Sequence, residues 1–251
     1  MKIVVIGGTG LIGSKVVSKL GERGHEAVAA APNTGVNTIT GEGLAEVLDG
    51  ADVVVDVSNS PSFDDAEVME FFQTSTGNVL AAEEAAGVGH HFALSVVGTQ
   101  RLQESGYFRA KQAQERLIED AKTPYSLLHA TQFFEFVTSM ANAGADGDQV
   151  RFAPVLFQPM ASEDVADAVV KVAMGQPLNA TVEVAGPDQY RMDEFFREAL
   201  PLRGDRRTVV SDPDAKYFGA ELGERTLLPG DGASLGGIKF FEWPGRDGSR
   251  H

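Results

Sequence analysis

The sequence predicts a doubly wound α/β fold, a parallel sheet with helices on both faces, and three observations carry the prediction. Ile3 to Ile6 form a β-branched apolar run, the composition of a strand buried on both sides. Gly7, Gly10 and Gly13 follow at three-residue intervals and run into a helical pattern, with Leu11, Ile12, Val16, Val17 and Leu20 on one side and Lys15 and Lys19 elsewhere. Further apolar runs at Ala51 to Val57, Phe92 to Val97 and Tyr125 to His129 then alternate with helical stretches.

Taken in order, the second strand is expected over Glu26 to Ala31, closed by the turn Pro32-Asn33-Thr34-Gly35. Val36 to Gly43 is short for another strand and its connection, so a brief helix over Leu44 to Leu48 leads directly to the strand Ala51 to Val57. A long helix over Asp64 to Ala86 ends at the stop signal Gly87-Val-Gly89. His90 and His91 open the next strand; neighbours in a strand point to opposite faces, and with no third ligand in view no metal site is predicted. Tyr107 opens a helix that continues through Leu117 and Ile118. Beyond the strand at Tyr125, Val150 to Phe157 and Thr181 to Val184 read as short strands, and Glu163 to Met174 and Met192 to Leu200 as helices. After Pro201 periodicity weakens, notably through Leu228 to Gly237, but Phe240, Phe241 and Trp243 imply a tail that is tied down. The organisation expected is a nucleotide-binding domain over 1–150 and a small, not independently folding substrate lobe and cap over 151–251.

Composition limits the function. The 251 residues carry 36 acidic against 21 basic side chains, a net charge of −15, which argues against nucleic acid or an anionic membrane as partner. Cysteine is absent, excluding disulfides, thiol nucleophiles and thiolate metal sites. No run of about eighteen apolar residues occurs, and the chain reads as cytoplasmic, its oligomeric state open with a homodimer as one outcome.

The glycine turn has a definite chemistry. Backbone N–H groups at a helix N-terminus, reinforced by the helix dipole, bind phosphate where no side chain intervenes. Gly7 permits the turn, Gly10 lets a pyrophosphate approach, and Gly13 lets the helix pack on the strand; Thr9, Leu11 and Ile12 complete the cradle. An acid that would hold a ribose 2′-hydroxyl is expected near Ala31 and none is present, nor is an arginine for a 2′-phosphate. Asn33 and Thr34, next to Pro32, could donate to one, so NADP leads and NAD is the alternative. Ser58, Asn59 and Ser60 follow a strand end, at the sheet edge where ligands bind.

Tyr107 and Lys111 are one helical turn apart and share a face. A phenol titrates near pH 10 unless a cation favours its phenolate, and Lys111 is placed to supply that charge and to reach a ribose hydroxyl. Ser95, near a strand end, would orient a substrate carbonyl by a hydrogen bond while Tyr107 delivers the proton. Gln132 and Phe133 should pass the nicotinamide end of the cofactor, against the plainer reading of the Phe133, Phe134 and Phe136 rings as core.

These residues, with Ser162-Glu-Asp-Val-Ala-Asp167 and Thr181 to Pro187, give the chain a resemblance over most of 1–200. It resembles the short-chain dehydrogenase/reductase superfamily in its atypical and extended branch, near the NmrA-like NAD(P)-binding proteins. The resemblance implies a Rossmann-type sheet, a nicotinamide cofactor and Ser95, Tyr107 and Lys111 as catalytic residues. Where that family's helix asparagine is expected the chain has Glu70-Phe-Phe-Gln73, with Asn78 off register. The function expected is NAD(P)H-dependent hydride transfer to a small carbonyl or conjugated, quinone-like carbonyl compound; the alternative is a non-catalytic, redox-sensing NAD(P)-binding regulator.

Overall fold

A computed structural model describes residues 1–245; positions 246–251, the end of the expected lobe, lie outside the described residues. The first half alternates strand and helix: β1 (Lys2–Ile6), α1 (Leu11–Glu22), β2 (Glu26–Ala30), α2 (Leu44–Leu48), β3 (Val53–Asp56), α3 (Asp65–Ala86), β4 (His90–Val96), α4 (Gly106–Glu119) and β5 (Tyr125–Ala130). The second half adds α5 (Val137–Ala143), β6 (Ala145–Asp146), β7 (Gln149–Phe152), β8 (Leu156–Phe157), α6 (Ser162–Ala173), β9 (Thr181–Ala185), β10 (Tyr190–Arg191), α7 (Met192–Leu202), β11 (Thr208–Ser211) and β12 (Ser234–Leu235).

Seven strands form one sheet in the order β12-β9-β5-β4-β3-β1-β2, every neighbouring pair parallel. Successive side chains of β1 go to opposite faces. Ile3 and Val5 pack with Val16 and Leu20 of α1 and Val169 of α6, whereas Val4 and Ile6 pack toward Leu44 of α2 and Val79 of α3. Both faces are therefore covered, as the unbroken apolar run requires. From β1 the chain turns outward to β2 and then crosses back to β3, which puts a topological switch, the usual ligand crevice, at the carboxyl ends of β1 and β3. No strand lies beyond β2 among the described residues: after Ala31 the chain makes a tight turn over Pro32–Thr34 and proceeds to α2.

Local signals explain the boundaries. Asp64 caps α3 by accepting the Ala66 and Glu67 N–H groups at 3.0 and 3.2 Å, and Gly87 ends it in the left-handed region at φ +72°. The adjacent histidines do point to opposite faces: His91 Nδ1 lies 2.6 Å from Glu83 Oε1 toward α3, and His90 Nε2 meets the Ser126 hydroxyl at 2.9 Å. One expectation is corrected. Val150 to Phe157 is two strands in two small sheets rather than one, because Pro154 lacks an N–H and the Val155 N–H turns back to the Ala153 carbonyl at 2.9 Å.

The second half is shared between two layers. The helix α6 and strands β9 and β12 join the main sheet, while β6, β7 and β11 form one small sheet and β8 and β10 another around α7. The lobe core is aromatic: Phe152 stacks on Phe196 at 3.8 Å between centroids, and Phe195 meets Phe240 at 4.7 Å and Phe157 at 5.2 Å. Phe240 and the largely buried Trp243 thus tie the tail to the lobe, as their apolar character implied. Among the described residues no helix is long and apolar enough to cross a membrane.

Phe195 is 1% exposed at the centre of this cluster. Phe195→Ala is expected to lower the unfolding free energy by about 3–5 kcal/mol, whereas Leu235→Ala, exposed on the edge strand, should change it by less than about 0.5 kcal/mol; urea unfolding of both variants checks the contrast.

Candidate functional site

The turn between β1 and α1 is built without side chains because there is no room for them. A Cβ on Gly13 would lie 2.1 Å from the Gly7 carbonyl oxygen, and one on Gly7, at φ +76°, would lie 2.9 Å from the Ser58 backbone. Gly10 differs. A Cβ there would meet only the Gly7 oxygen, at 3.3 Å, a tight contact that a shift of a few tenths of an ångström relieves, so a side chain costs far less there than at Gly7 or Gly13. No side chain caps α1, and its first turn holds no acid. The N-terminal N–H groups at Leu11, Ile12 and Gly13 therefore present positive potential to solvent, a cradle that fits a phosphate.

The flanking loops close on this cradle. The Gly7 N–H donates to the Ala30 carbonyl at 2.9 Å, and the Thr9 hydroxyl donates to Asn33 Oδ1 at 3.1 Å. Pro32 and Asn33 are exposed beside it. The Thr34 hydroxyl is already engaged, accepting from the Ala31 N–H and donating to backbone carbonyls at 2.9 and 3.0 Å. This leaves Asn33, with its amide nitrogen, as the free donor of the expected pair. Across the crevice Ser58 hydrogen-bonds Asp56, Asn59 is exposed, and the buried Ser60 hydroxyl accepts from the Ser62 N–H at 3.2 Å.

Asp56 joins the cradle to α4. It is 1% exposed; its Oδ1 accepts from the Ser58 N–H and hydroxyl at 2.9 and 2.6 Å, and its Oδ2 accepts from Gln114 Nε2 at 3.1 Å. The Gln114 carbonyl oxygen in turn accepts from Lys111 Nζ, which also donates to the Leu94 carbonyl at 2.9 Å and sits 4.5 Å from the centre of the Phe72 ring. Burial pulls the Lys111 ammonium down to about 8, against the opposing charges of Asp56 and Glu115.

Tyr107 does flank the same ring, 6.3 Å from Phe72, with Phe63 and Phe108 each at 5.6 Å. Its phenol departs from the expected direction. Burial raises it to about 12, because Lys111 spends its hydrogen bonds on Leu94 and Gln114 and an apolar wall disfavours phenolate. The Phe72 ring occupies the region where the asparagine was sought; Asn78 instead donates to the Thr38 and Ile39 carbonyls at 2.9 and 3.0 Å.

Ser95, facing α4 from β4, donates its hydroxyl to Glu115 Oε1. Thr99 reaches Glu115 Oε2 at 3.3 Å, and His129 Nε2 lies 2.9 Å from Oε1. Burial alone would raise Glu115, but His129, Ser95 and Lys111 outweigh it and hold its carboxyl below the usual value. Gln132 is buried, with neither amide atom in a well-formed hydrogen bond although the Tyr217 hydroxyl is close. Phe133 is half-buried and stacks on Phe136 at 5.6 Å. Phe134 and not Phe133 is the core member of that trio.

Sequence reading missed Asp56, Gln114, Glu115, His129 and Tyr217. Two signals were available: Gln114 and Glu115 follow Lys111 at three and four residues, on the same helical face, and Asp56 and His129 are polar residues ending apolar strands. Tyr217 comes from the far lobe and carried no such signal.

A model of the NAD(P)H-binding family matches residues 7–175. The chain belongs to that family. The matched residues include the glycine turn and the uncapped helix that follows it. Photosystem II assembly factor Ycf39 of Synechocystis sp. is 21% identical over 235 residues, covering 86% of this chain and 72% of that protein. Among solved structures, MoeE5 in complex with UDP-glucose and NAD aligns with TM-score 0.71 at 19% identity, covering 88% of this chain and 87% of the other. A dTDP-4-dehydrorhamnose reductase from Clostridium acetobutylicum gives 0.70 at 17%, covering 94% and 95%. UDP-N-acetylglucosamine 4-epimerase from Bacillus cereus gives 0.66 at 17%, covering 84% and 85%. These structures share the fold.

The glycines separate folding from ligand binding. Gly10→Val should leave thermal unfolding nearly unchanged yet weaken dinucleotide binding by at least tenfold, about 1.4 kcal/mol. Gly13→Ala should instead destabilise the protein itself. Calorimetric titration paired with thermal melts reads both, and unchanged affinity in Gly10→Val would mean that the cradle is only structural.

Proposed function

We propose that the protein is an NADP-dependent oxidoreductase that reduces a conjugated, planar carbonyl compound. The observation that carries this reading is the wall of aromatic rings round Tyr107, with Lys111 against the Phe72 ring of that wall and one hydrogen-bond chain away from the glycine cradle. The cofactor would rest on Leu11 to Gly13, with Asn33 and Thr9 near its 2′ position; the absence of an acid at the end of β2 favours NADP over NAD. When bound, it supplies hydride to the carbonyl carbon. Lys111, on α4, would hold the ribose, and Tyr107 gives a proton to the carbonyl oxygen, its raised phenol suiting an acid that stays protonated throughout the neutral range.

Substrate class follows from the walls. MoeE5 is seen with UDP-glucose, a ligand rich in hydroxyls, yet the surroundings of Tyr107 are Phe63, Phe72, Phe108 and, through Phe63, Phe218 at 6.0 Å. Phe63 is 57% exposed. Such faces favour a flat conjugated ligand over a sugar. The net charge of −15 supports a small-molecule substrate rather than nucleic acid or an anionic membrane.

A second reading has a specific observation in its favour. Phe72 stands where the asparagine was sought, Lys111 does not lower the phenol, and the one relative cited from sequence is named an assembly factor. These fit an NmrA-like, non-catalytic regulator that reports the cofactor's redox state to a protein.

Tyr107→Phe distinguishes the two. Removal of a general acid should lower kcat by about 10² to 10⁴ with little change in NADPH affinity, measured by steady-state turnover across aldehydes, ketones and quinones and by NADPH fluorescence titration. Wild-type binding without turnover on any panel member would favour the regulator.

Lys111 adds a pH dependence. Its ammonium titrates at about 8, and the charged form is the one that attracts the dinucleotide, so NADPH affinity should fall as pH rises through about 8. Titrations at successive pH values should show the fall in the wild type and not in Lys111→Met.

A further inference from the structure

A cavity of about 480 Å³ opens to solvent on the α4 side of the sheet and is lined by Thr99, Arg101, His129, Glu183, Asp231 and Ser234 among others. At its wall stands His129, 6% exposed. One ring nitrogen, Nε2, is 2.9 Å from Glu115 Oε1, an ion-pair contact whose angle falls short of a hydrogen bond, and that same oxygen accepts from the Ser95 hydroxyl. The other, Nδ1, makes no hydrogen bond among the described residues; the nearest acid, Glu183, is 4.0 Å away. Three side chains thus form one line from the candidate catalytic serine to a water-accessible cavity.

This geometry changes what Ser95 can do. A serine hydroxyl has one proton. With that proton donated to Glu115, Ser95 offers only lone pairs to a substrate and cannot orient a carbonyl by donation, the role its position suggested. For the proton to be released, the pull of Glu115 has to be weakened, and the partner able to weaken it is His129: an imidazolium draws charge from Oε1 far more strongly than a neutral ring does.

We propose that Glu115 and His129 are positioning residues for Ser95, with protonation of His129 from the cavity freeing the Ser95 hydroxyl to donate to the substrate carbonyl. No covalent bond is exchanged; one hydrogen bond, Ser95 to Glu115, is traded for one from Ser95 to the substrate oxygen. The charged groups acting on the pair are Lys111 on the Glu115 helix, Glu183 on β9, and Arg101 and Asp231 across the cavity. Arg101 is held by the Thr226 and Leu228 carbonyls at 3.1 and 2.9 Å, so it lines the cavity without entering the relay. The catalytic consequence rests on the reductase reading; the coupling of the three side chains does not.

Two measurements separate these. The first needs no substrate: the His129 ring is titrated by NMR in the full-length protein. Glu115→Gln removes the facing charge and should shift the His129 midpoint to lower pH, while Ser95→Ala removes a donor that competes for Glu115 and should shift it to higher pH. No shift in either variant overturns the proposal whatever the turnover. Ser95→Ala deletes only one buried oxygen, so it keeps the test informative should Glu115→Gln fail to fold. The second is the pH profile of kcat/KM between about pH 5 and 8, the range of histidine titration. Wild-type reduction should decline as pH rises through the NMR midpoint, and His129→Asn and His129→Gln should flatten that limb and lower the acid plateau by about tenfold. In a Ser95→Ala background the same substitutions should cost nothing further, since their effect passes through that hydroxyl. Full additivity of the two losses overturns the proposal. NMR shifts of the expected signs in a protein that reduces no panel compound would support the coupling and overturn the reductase reading.

Discussion

The site depends on the burial of one carboxylate. Asp56 ends β3 with almost no exposure, and an ionised group there is tolerated only if both oxygens are answered. Ser58 answers one, which shapes the turn against which Gly7 packs; Gln114 answers the other, which draws α4 to the end of the sheet. Because Gln114 also accepts from Lys111, the cofactor cradle and the helix bearing Tyr107, Lys111 and Glu115 are joined through a single chain of hydrogen bonds. A change at Asp56 would therefore loosen both halves of the site at once.

Around this chain polarity is distributed unevenly. On the sheet side Lys111, Gln114, Glu115, Ser95 and His129 are all nearly or fully enclosed, Lys111 donating to Gln114 and Ser95 to Glu115 while His129 makes an ion-pair contact with Glu115. On the other side Tyr107 is walled by rings. Burial is the dominant influence on Lys111 and Tyr107 of α4, lowering the lysine and raising the phenol. The two thus move apart from their ordinary order rather than toward each other: the acid is kept neutral and the base is eased toward neutrality, which suits a compartment that excludes water.

The far lobe contributes shape more than charge. Tyr217 and Ala220 exchange backbone hydrogen bonds at 2.8 and 3.0 Å across a tight turn whose middle residues, Phe218 and Gly219, have φ of +47° and +87°. A phenylalanine in the left-handed region is strained. It is held there with its ring stacked on Phe63 and edge-on to Tyr217, while Tyr217 packs near Phe108 of α4. The strain therefore sits where the lobe touches α4.

What the sequence determined by itself is what depends on near neighbours in the chain. The buried strands at Ile3 and Ala51, the α3 cap and stop at Asp64 and Gly87, the glycine cradle, and the shared face of Tyr107 and Lys111 all follow from spacing and residue type within a few positions. Even the break at Pro154 was legible in principle, since a missing N–H is a local fact. What only the tertiary structure decided is which groups meet across strands and lobes. Asp56 and Gln114 are far apart in sequence, as are Ser95 and His129, and Tyr217 reaches the site from the opposite end of the chain. The direction in which Lys111 points, and the burial that raises the Tyr107 phenol, were decided the same way. Local pattern specifies that a side chain is on a face, but the free energy of a buried charge depends on the partners that the folded chain brings to it.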